Sequence, residues 1–576
     1  MPRPDDVTYT KLQWLLKRLG WAEDFCRPYF TRAKRHYRLY RFGSAVNEAD
    51  WPYVNRVRSR DILAFIEDAT ATMVQSLLGE YPFYSVLPRN ESQLMKMIAG
   101  IDAGKIAKQM EQVLSAQISH EDTEFMEEMT DFFKSGGIFG NSYSGVYPRL
   151  DAATGAYKGP LIKTIDFWDV LPVPPARRIS KARGVFVREF MDIEELAGLE
   201  RGGYYKDIDK LRAMFGGSGA ANPDAEWHKQ LLAECKLSDW LPSDEGIEVL
   251  HYFSGGHIIS FANRAVILRD SNEANPQTGN VVKPFPYDQP VVQYKYMPVP
   301  LEFFAMGIPE VLEVLQEDKN LIRSARRDNI DICIQKIIKA RAGADINYDL
   351  IKFYAGAIWP LESLTDIEPL DIPDVTASSY QEEQKVSSDM ENALSMFGYA
   401  RGMTPQHQEL PTTVMKLQQA SLNRLDLAIK LAEFTTLQQI ADRVILLTRR
   451  FMPQSEYEAI CGEPDAGFYK LSEDAIRKFY VIKPMGSSVT HIKELRQRQI
   501  QAAFQLLTSV MPMGPANIQP FTVDLYEAAK TGLEAYDIKN IDQLLPKLNM
   551  MPMQPQPMMP QPQELDQLQS VDYGGQ

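Results

Sequence analysis

Residues able to do chemistry are present in this chain, but their spacing does not assemble a catalytic site. The run Gly136-Gly137-Ile138-Phe139-Gly140-Asn141-Ser142-Tyr143-Ser144-Gly145 has the glycine density of a phosphate loop. It lacks the Gly-Lys-Ser/Thr ending that sets an amine on phosphate and a hydroxyl on magnesium, so it reads as a helix end followed by tight strand entry. Lys105 follows Gly104, yet Ile106 comes next and the leading glycine spacing is wrong. Asp224, Glu226 and Lys229 lie close together as in a metal-dependent nuclease, without the Glu-x-Lys spacing of such a centre. His251 and His257 stand six apart with two glycines between, a poor metal spacing on strands, and the other histidines are isolated. Cys26, Cys235, Cys333 and Cys461 form no CxxC pair, which excludes an evident zinc module and shows no disulfide framework. No catalytic residue, metal or cofactor is therefore expected. What remains is binding chemistry. From Arg27 to Phe42, Arg27, Arg32, Lys34, Arg35, Arg38 and Arg41 alternate with Tyr29, Phe30, Tyr37, Tyr40 and Phe42. Such interleaving either grips nucleic acid or marks an amphipathic helix with rings in the core and cations in water.

The elements that must carry these residues fit a chain of 576 residues, long enough for several domains. Its 44% hydrophobic and 24% charged residues exclude a wholly disordered or fibrous chain. A formal net charge of −14 excludes a general basic coat for nucleic acid, so any such partner meets a local patch or a surface that holds it loosely. The opening MPRPDDVTYT has no cationic lead before an apolar run, and no stretch approaches the roughly 20 apolar residues of a bilayer span. The expectation is a soluble protein made in a reducing cytoplasm, with no membrane partner.

Helical spacing is expected over 1–45, then near Arg58–Leu78, where Ile62, Phe65, Ile66, Ala69, Met73 and Leu77 keep one face. A third helix is expected from about Met95 to Lys134. Between Leu161 and Tyr296 the runs FVREFM, IEVLHYF, HIISFA and VVQYKYM predict strands, with a loop at Gly216–Gly219. From Pro309 a helix of about 45 Å, if it reaches Lys339, carries an apolar stripe of Val311, Leu315, Ile322, Ala325 and Ile332. Its polar stripe, Glu313, Glu317, Asn320, Ser324, Arg327 and Asp331, is expected to face water. Over 342–375, where short strands are expected, seven carboxylates, among them Glu362, Asp366 and Glu368, oppose only Lys352. A second helix follows near Ala377–Phe397 with Val386, Met390, Ala393 and Phe397 in line. The pattern is a helical hairpin tipped by a small acidic β insert. After a loop, GYARGMTPQHQELPTT, a long helix from Thr413 to Phe451 carries Leu417, Leu425, Ile429, Ala432, Ile440, Val444 and Leu447. A strand, KFYVIKP, and helices near 490–510, 522–532 and 540–548 follow, and the Met/Pro/Gln-rich stretch from Pro552 is expected to be disordered.

This order of parts resembles the portal protein, or head-to-tail connector, of tailed bacteriophages. MGIPEVLEVLQEDKNLIRSARRDNIDICIQKIIKARAG resembles the family's glycine-led stem helix, with Gln316 and Asn320 at its opening. DFFKSGGIFGNSYSGVYPRLD resembles the glycine turn of the wing, IDFWDVLPVPPARRISKARGVFVREFMDIEEL its downstream strand pair, and TTVMKLQQASLNRL the start of the long helix. The resemblance covers about 50–545. It implies an α+β, mainly helical subunit: N-terminal helices and wing over 1–300, first stem helix 301–341, clip 342–375, second stem helix 376–398, tunnel loop 399–413, long helix and remaining wing 414–489, crown 490–548 and tail 549–576.

The family forms a ring, most often of twelve identical subunits, at one capsid vertex. Double-stranded DNA passes through its channel during packaging and ejection. Terminase docks on the clip and is later replaced by neck or tail adaptor proteins; major capsid and scaffolding proteins are further partners. The implied site residues are Arg401, Gln406, His407 and Gln408 in a DNA-contacting tunnel loop, the polar stripe from Glu313 to Asp331 on the channel wall, and Trp359, Glu362, Asp366 and Glu368 at the docking clip. Each neutralised phosphate adds counterion-release affinity, so a cationic bore would stall DNA where a mixed, acidic one lets it slide. Arg323, Arg327 and Arg401 remain available for brief phosphate contacts or for salt bridges. Two other classes stay open: a virion scaffold or tail adaptor with no conduit, and a nucleic-acid-processing enzyme.

Overall fold

The computed structural model describes residues 7–46, 50–79, 81–89, 102–151, 156–215, 247–273, 283–334, 337–342, 351, 367–370, 376–394 and 423–485. They form a mixed α+β fold, mainly helical. The first helix, α1 (Val7–Phe42), buries Leu15, Leu19, Ala22, Cys26, Phe30 and Ala33 in sequence along one face. Helix α2 (Asp61–Leu78) buries all six residues whose spacing predicts it, and its chain turns at Gly79. The single long helix expected to Lys134 is instead two, α3 (Ala103–Ile118) and α4 (Phe125–Phe139). The break has local causes. Thr123 Oγ1 donates to the Gln117 carbonyl, and Glu124 takes φ 45°, a left-handed conformation that no continuous helix allows.

At the end of α4 the glycine-rich run does what its spacing suggests. Gly140 adopts φ +81°, its N–H closes on the Gly136 carbonyl, and β2 (Asn141–Leu150) begins at once. A side chain there would strike the Ala305 carbonyl oxygen, 2.1 Å from an ideal Cβ position. β2 is the centre of a three-stranded antiparallel sheet, between β3 (Tyr157–Ile165) and β9 (Val291–Lys295). A second, five-stranded antiparallel sheet runs β4 (Val170–Pro172), β5 (Val185–Met191), β6 (Ile247–Ser254), β7 (His257–Ala262) and β8 (Val266–Asp270) in spatial as in chain order. Helices α5 (Ile193–Arg201) and α6 (Ile208–Phe215) supply Leu196, Ile208 and Leu211 to a small core with Ile247, Val249 and Leu268 of that sheet.

Helix α7 spans Ile308–Ile334, shorter than the expected reach to Lys339, because β10 (Ile338–Ala340) takes over. β10 pairs antiparallel with β11 (Ile367–Pro369), and α8 (Thr376–Leu394) then packs along α7. The long helix expected from Thr413 is described from Asn423 as α9 (Asn423–Ala432) and α10 (Gln438–Phe451), joined through a π-helical turn at Glu433–Leu437, while its expected start, with Leu417, lies outside the described residues. Of the residues spaced to define it, Leu425, Ile429, Ala432, Ile440, Val444 and Leu447 are all buried. β12 (Tyr480–Pro484) closes the body by pairing with β1 (Tyr84–Pro88). The loop at Gly216–Gly219, residues 490–548 and the tail from Pro552 lie outside the described residues.

Candidate functional site

Helix α7 carries the polar stripe on which the sequence places most of its functional weight. Glu310 lies in its first turn, where a carboxylate favours the positive end of the helix dipole. Segment 43–60, which has no α-helix or β-strand among its described residues, lies against the polar side of α7. Its backbone groups therefore have few partners of their own and must find them elsewhere. They find them on α7. Glu317 accepts from the Ala45 N–H at 2.7 Å and from the Ser44 hydroxyl at 3.0 Å. Asn320 accepts from the Ser59 N–H at 2.8 Å and donates to the Gly43 carbonyl at 2.7 Å. Gln316 donates to the Ser59 carbonyl at 2.8 Å, and Ser324 accepts from the Val57 N–H at 3.1 Å. Asp328 accepts from the Val54 and Asn55 N–H groups at 3.0 and 2.8 Å, and Asp331 from the Asn55 side chain at 2.7 Å. Burial would raise the Asp328 carboxyl, but the hydrogen bonds donated by Asn55 and Val54 together outweigh it and hold the group below its ordinary range.

This geometry corrects the channel-facing assignment. Asn320 and Ser324 are 0% exposed within a single chain, so they cannot line a bore. Glu313 is committed to Arg35 of α1, while Glu317 and Asp331 are committed to the 43–60 segment. Arg327 alone of the six is well exposed, its side chain at 57%, with Asp331 3.4 Å away. The physical reason is plain: an i, i+3, i+4 polar stripe suits water and an irregular backbone equally well. The predicted apolar stripe also sits differently. Val311, Leu315 and Ile322 are only partly buried, against the main core, and Ile332 is exposed.

Helix α8 packs along α7 beside the polar stripe, meeting α7 at Arg323 and Arg326. Val386, Met390 and Leu394 of α8 are buried. Arg326 pairs with Glu383 and lies 4.1 Å from the Tyr380 ring centroid. Arg323 also reaches Glu383, at 3.6 Å. The β10–β11 ladder joins the pair, so the expected order of helix, β insert and helix is present. Glu368 sits exposed on β11, opposite Lys339. Val314 and Ile334 on α7 are 71% and 72% exposed, and Val54 and Ile337 are exposed as well. Trp359, Glu362 and Asp366, and the loop residues Arg401, Gln406, His407 and Gln408, lie outside the described residues, as does Phe397.

The basic and aromatic stretch of α1 resolves in favour of the core. Phe30 is buried with its ring edge-on to Phe167 and Trp168, at 5.6 and 5.8 Å. Tyr29 stacks on Phe304 at 4.0 Å, and Tyr40 donates to Glu67 at 2.8 Å. Arg32 and Arg35 bind Glu310 and Glu313 of α7. His36 is buried beside them, and burial together with those two cations pushes its pKa down to about 4. A nucleic-acid grip needs free rings to stack on bases, and Tyr29 and Phe30 are already packed in the fold.

Two clusters were not visible in the sequence because strand register creates them. Opposite one another on β6 and β7, His251 Nδ1 and Ser260 Oγ lie 2.8 Å apart, and His251 Nε2 is 3.4 Å from Glu189 of β5. Burial would raise the Glu189 carboxyl, but the bond and charge of His251 outweigh it and hold it low. Ser260 is fully buried in mid-strand, so this carboxylate–imidazole–hydroxyl row has no room for a substrate at its oxygen and serves to tie three strands together. The second cluster is an ion network. Arg188 bridges Glu248 at 3.0 Å and Glu23 at 3.2 Å, and Arg264 binds the same two carboxylates at 3.1 and 2.6 Å. It fixes α1 to the five-stranded sheet. No group of three or more metal-ligating side chains occurs among the described residues. Asp224, Glu226, Lys229 and Cys235 lie outside them. Among the described residues no helix is long and apolar enough to cross a membrane. No model of a known protein family matches the chain, and no curated protein matches its sequence significantly.

Proposed function

We propose that this chain is a portal-type subunit: one member of a closed ring at a capsid vertex, a conduit for double-stranded DNA and a platform for terminase and then neck proteins. The observation that carries this reading is the α7–α8 hairpin, joined at one end by the β10–β11 ladder and followed in the chain by the long α9–α10 helix. That order is what a subunit needs to set helices around an axis and present a small module at one end. The subunit is read as non-enzymatic, the terminase supplying the ATPase.

In such a ring the buried Asn320 and Ser324 do not reach the wall, and the other stripe residues are engaged within the subunit. The wall is read instead on α8, where Gln381, Glu382, Lys385, Ser388 and Asp389 are exposed. Its mixed charge suits a surface that lets phosphates slide, since few counterions are released on contact. The exposed Val314, Ile334 and Ile337 give the hairpin apolar edges for neighbouring copies in a heterologous, closing interface. The test is the solution mass of the full chain with negative-stain images of the same fractions. The expected result is a ring with an axial hole, near 790 kDa for about twelve copies of a 65.5 kDa chain. A discrete dimer, or a solid assembly without a hole, overturns the reading.

A further inference from the structure

Away from the hairpin, a cavity of about 690 Å³ opens between the two sheets, within the size range of small-molecule sites. Its walls are largely apolar and aromatic: Tyr147, Leu161, Phe253, Ile258, Phe285 and Phe451. Four charged side chains besides His251 also line it, namely Glu189, Asp270, Glu273 and Arg269. Each carboxylate already has a partner: Glu189 the His251 imidazole at 3.4 Å, Asp270 the Lys11 amine, and Glu273 the Lys206 amine at 2.6 Å. Arg269 is different. It makes no side-chain hydrogen bond or ion pair with any described residue, and its electrostatic neighbours are Tyr204 and Tyr205, which also line the cavity. A guanidinium drawn out of water is costly unless an acceptor meets its planar fork.

We propose that this cavity binds an amphipathic small-molecule anion, with an aromatic or alkyl body against the apolar walls and one carboxylate, sulfonate or phosphate group on Arg269. A cationic ligand is disfavoured because the three carboxylates have partners, and a neutral one would leave the arginine with no acceptor among the described residues. This inference does not rest on the portal reading and survives or fails separately from it.

The experiment is a fluorescence titration of the full chain with two probes of similar shape. One is 8-anilinonaphthalene-1-sulfonate, the other its uncharged relative N-phenyl-1-naphthylamine. Both bind saturably to the wild type. Arg269→Gln weakens the sulfonate by about tenfold or more, the loss expected for a charge-assisted bidentate contact, and changes the neutral probe by less than about twofold. Arg269→Lys, which keeps the charge but not the fork, gives an intermediate loss and serves if the glutamine variant does not fold by near-ultraviolet circular dichroism. Leu161→Trp, which fills the cavity, abolishes binding of both probes. Failure of either probe to saturate the wild type, equal sulfonate affinity in wild type and the Arg269 variants, or undiminished binding to Leu161→Trp overturns the proposal.

Discussion

Helices α7 and α10 are both amphipathic, but the middle of α7 buries a polar row where α10 buries a mainly apolar one. α10 turns Ile440, Val444 and Leu447 inward, as its apolar spacing requires. α7 turns Gln316, Asn320 and Ser324 inward and leaves Val314 71% exposed. The difference lies in what each helix packs against. α10 meets strands whose backbone groups are paired within sheets, so the gain comes from apolar area. α7 meets the irregular 43–60 segment, whose N–H and C=O groups would be stranded against an apolar face. A polar stripe satisfies them, and burying hydrogen-bonded polar groups is then tolerable.

Five substitutions, one of them read through a pH profile, break or sharpen this comparison. The largest effect belongs to α10: Leu447→Ala should cost about 2–5 kcal/mol in urea unfolding, the transfer loss plus a cavity. Asn320→Leu should cost about 1–3 kcal/mol, since the Ser59 N–H and Gly43 carbonyl lose their partner inside the fold. A wet Asn320 would make that change silent. Next comes His36, beside the arginines that bridge α1 to α7. Its pKa of about 4 when folded lies below the ordinary 6.5, so the unfolded chain binds the extra proton as pH falls through that window. Stability should be retained above about pH 6.5 and drop by up to about 1.4 kcal/mol per pH unit down to pH 4, with His36→Gln removing that slope. Ser324→Ala should cost about 1 kcal/mol through one buried hydrogen bond, read as a small fall in urea midpoint. Arg327→Ala should change stability by under about 0.5 kcal/mol, because its pair with Asp331 is at the surface.

Much of the fold was legible where period and burial agree. Ile62 to Leu77 fix α2, the runs around Phe186, Val249 and Ile259 fix three strands, and Val386 with Met390 fix the inner face of α8. The hairpin order was legible for the same reason. The α3–α4 break was not, since it depends on a side-chain bond from Thr123 and a left-handed Glu124 rather than on any helix-breaking residue type. β1 escaped notice because a five-residue strand acquires meaning only from β12, almost four hundred residues away. At the candidate site, periodicity gave the α7 stripe but not its direction, because the decisive partners are the irregular backbone groups of Gly43, Ala45, Val54, Asn55, Val57 and Ser59. The Glu189–His251–Ser260 row and the place of Arg269 on the cavity wall arise from strand register, which spacing within one strand does not encode.

The claim that α7 spends its polar face inside its own subunit is tested most directly by amide hydrogen exchange across 43–60 in the full chain. The account predicts slow exchange at Ala45, Asn55, Val57 and Ser59, with the Ser59 amide released selectively in Asn320→Ala. Fast exchange at those amides in the wild type would contradict it and return the stripe to solvent.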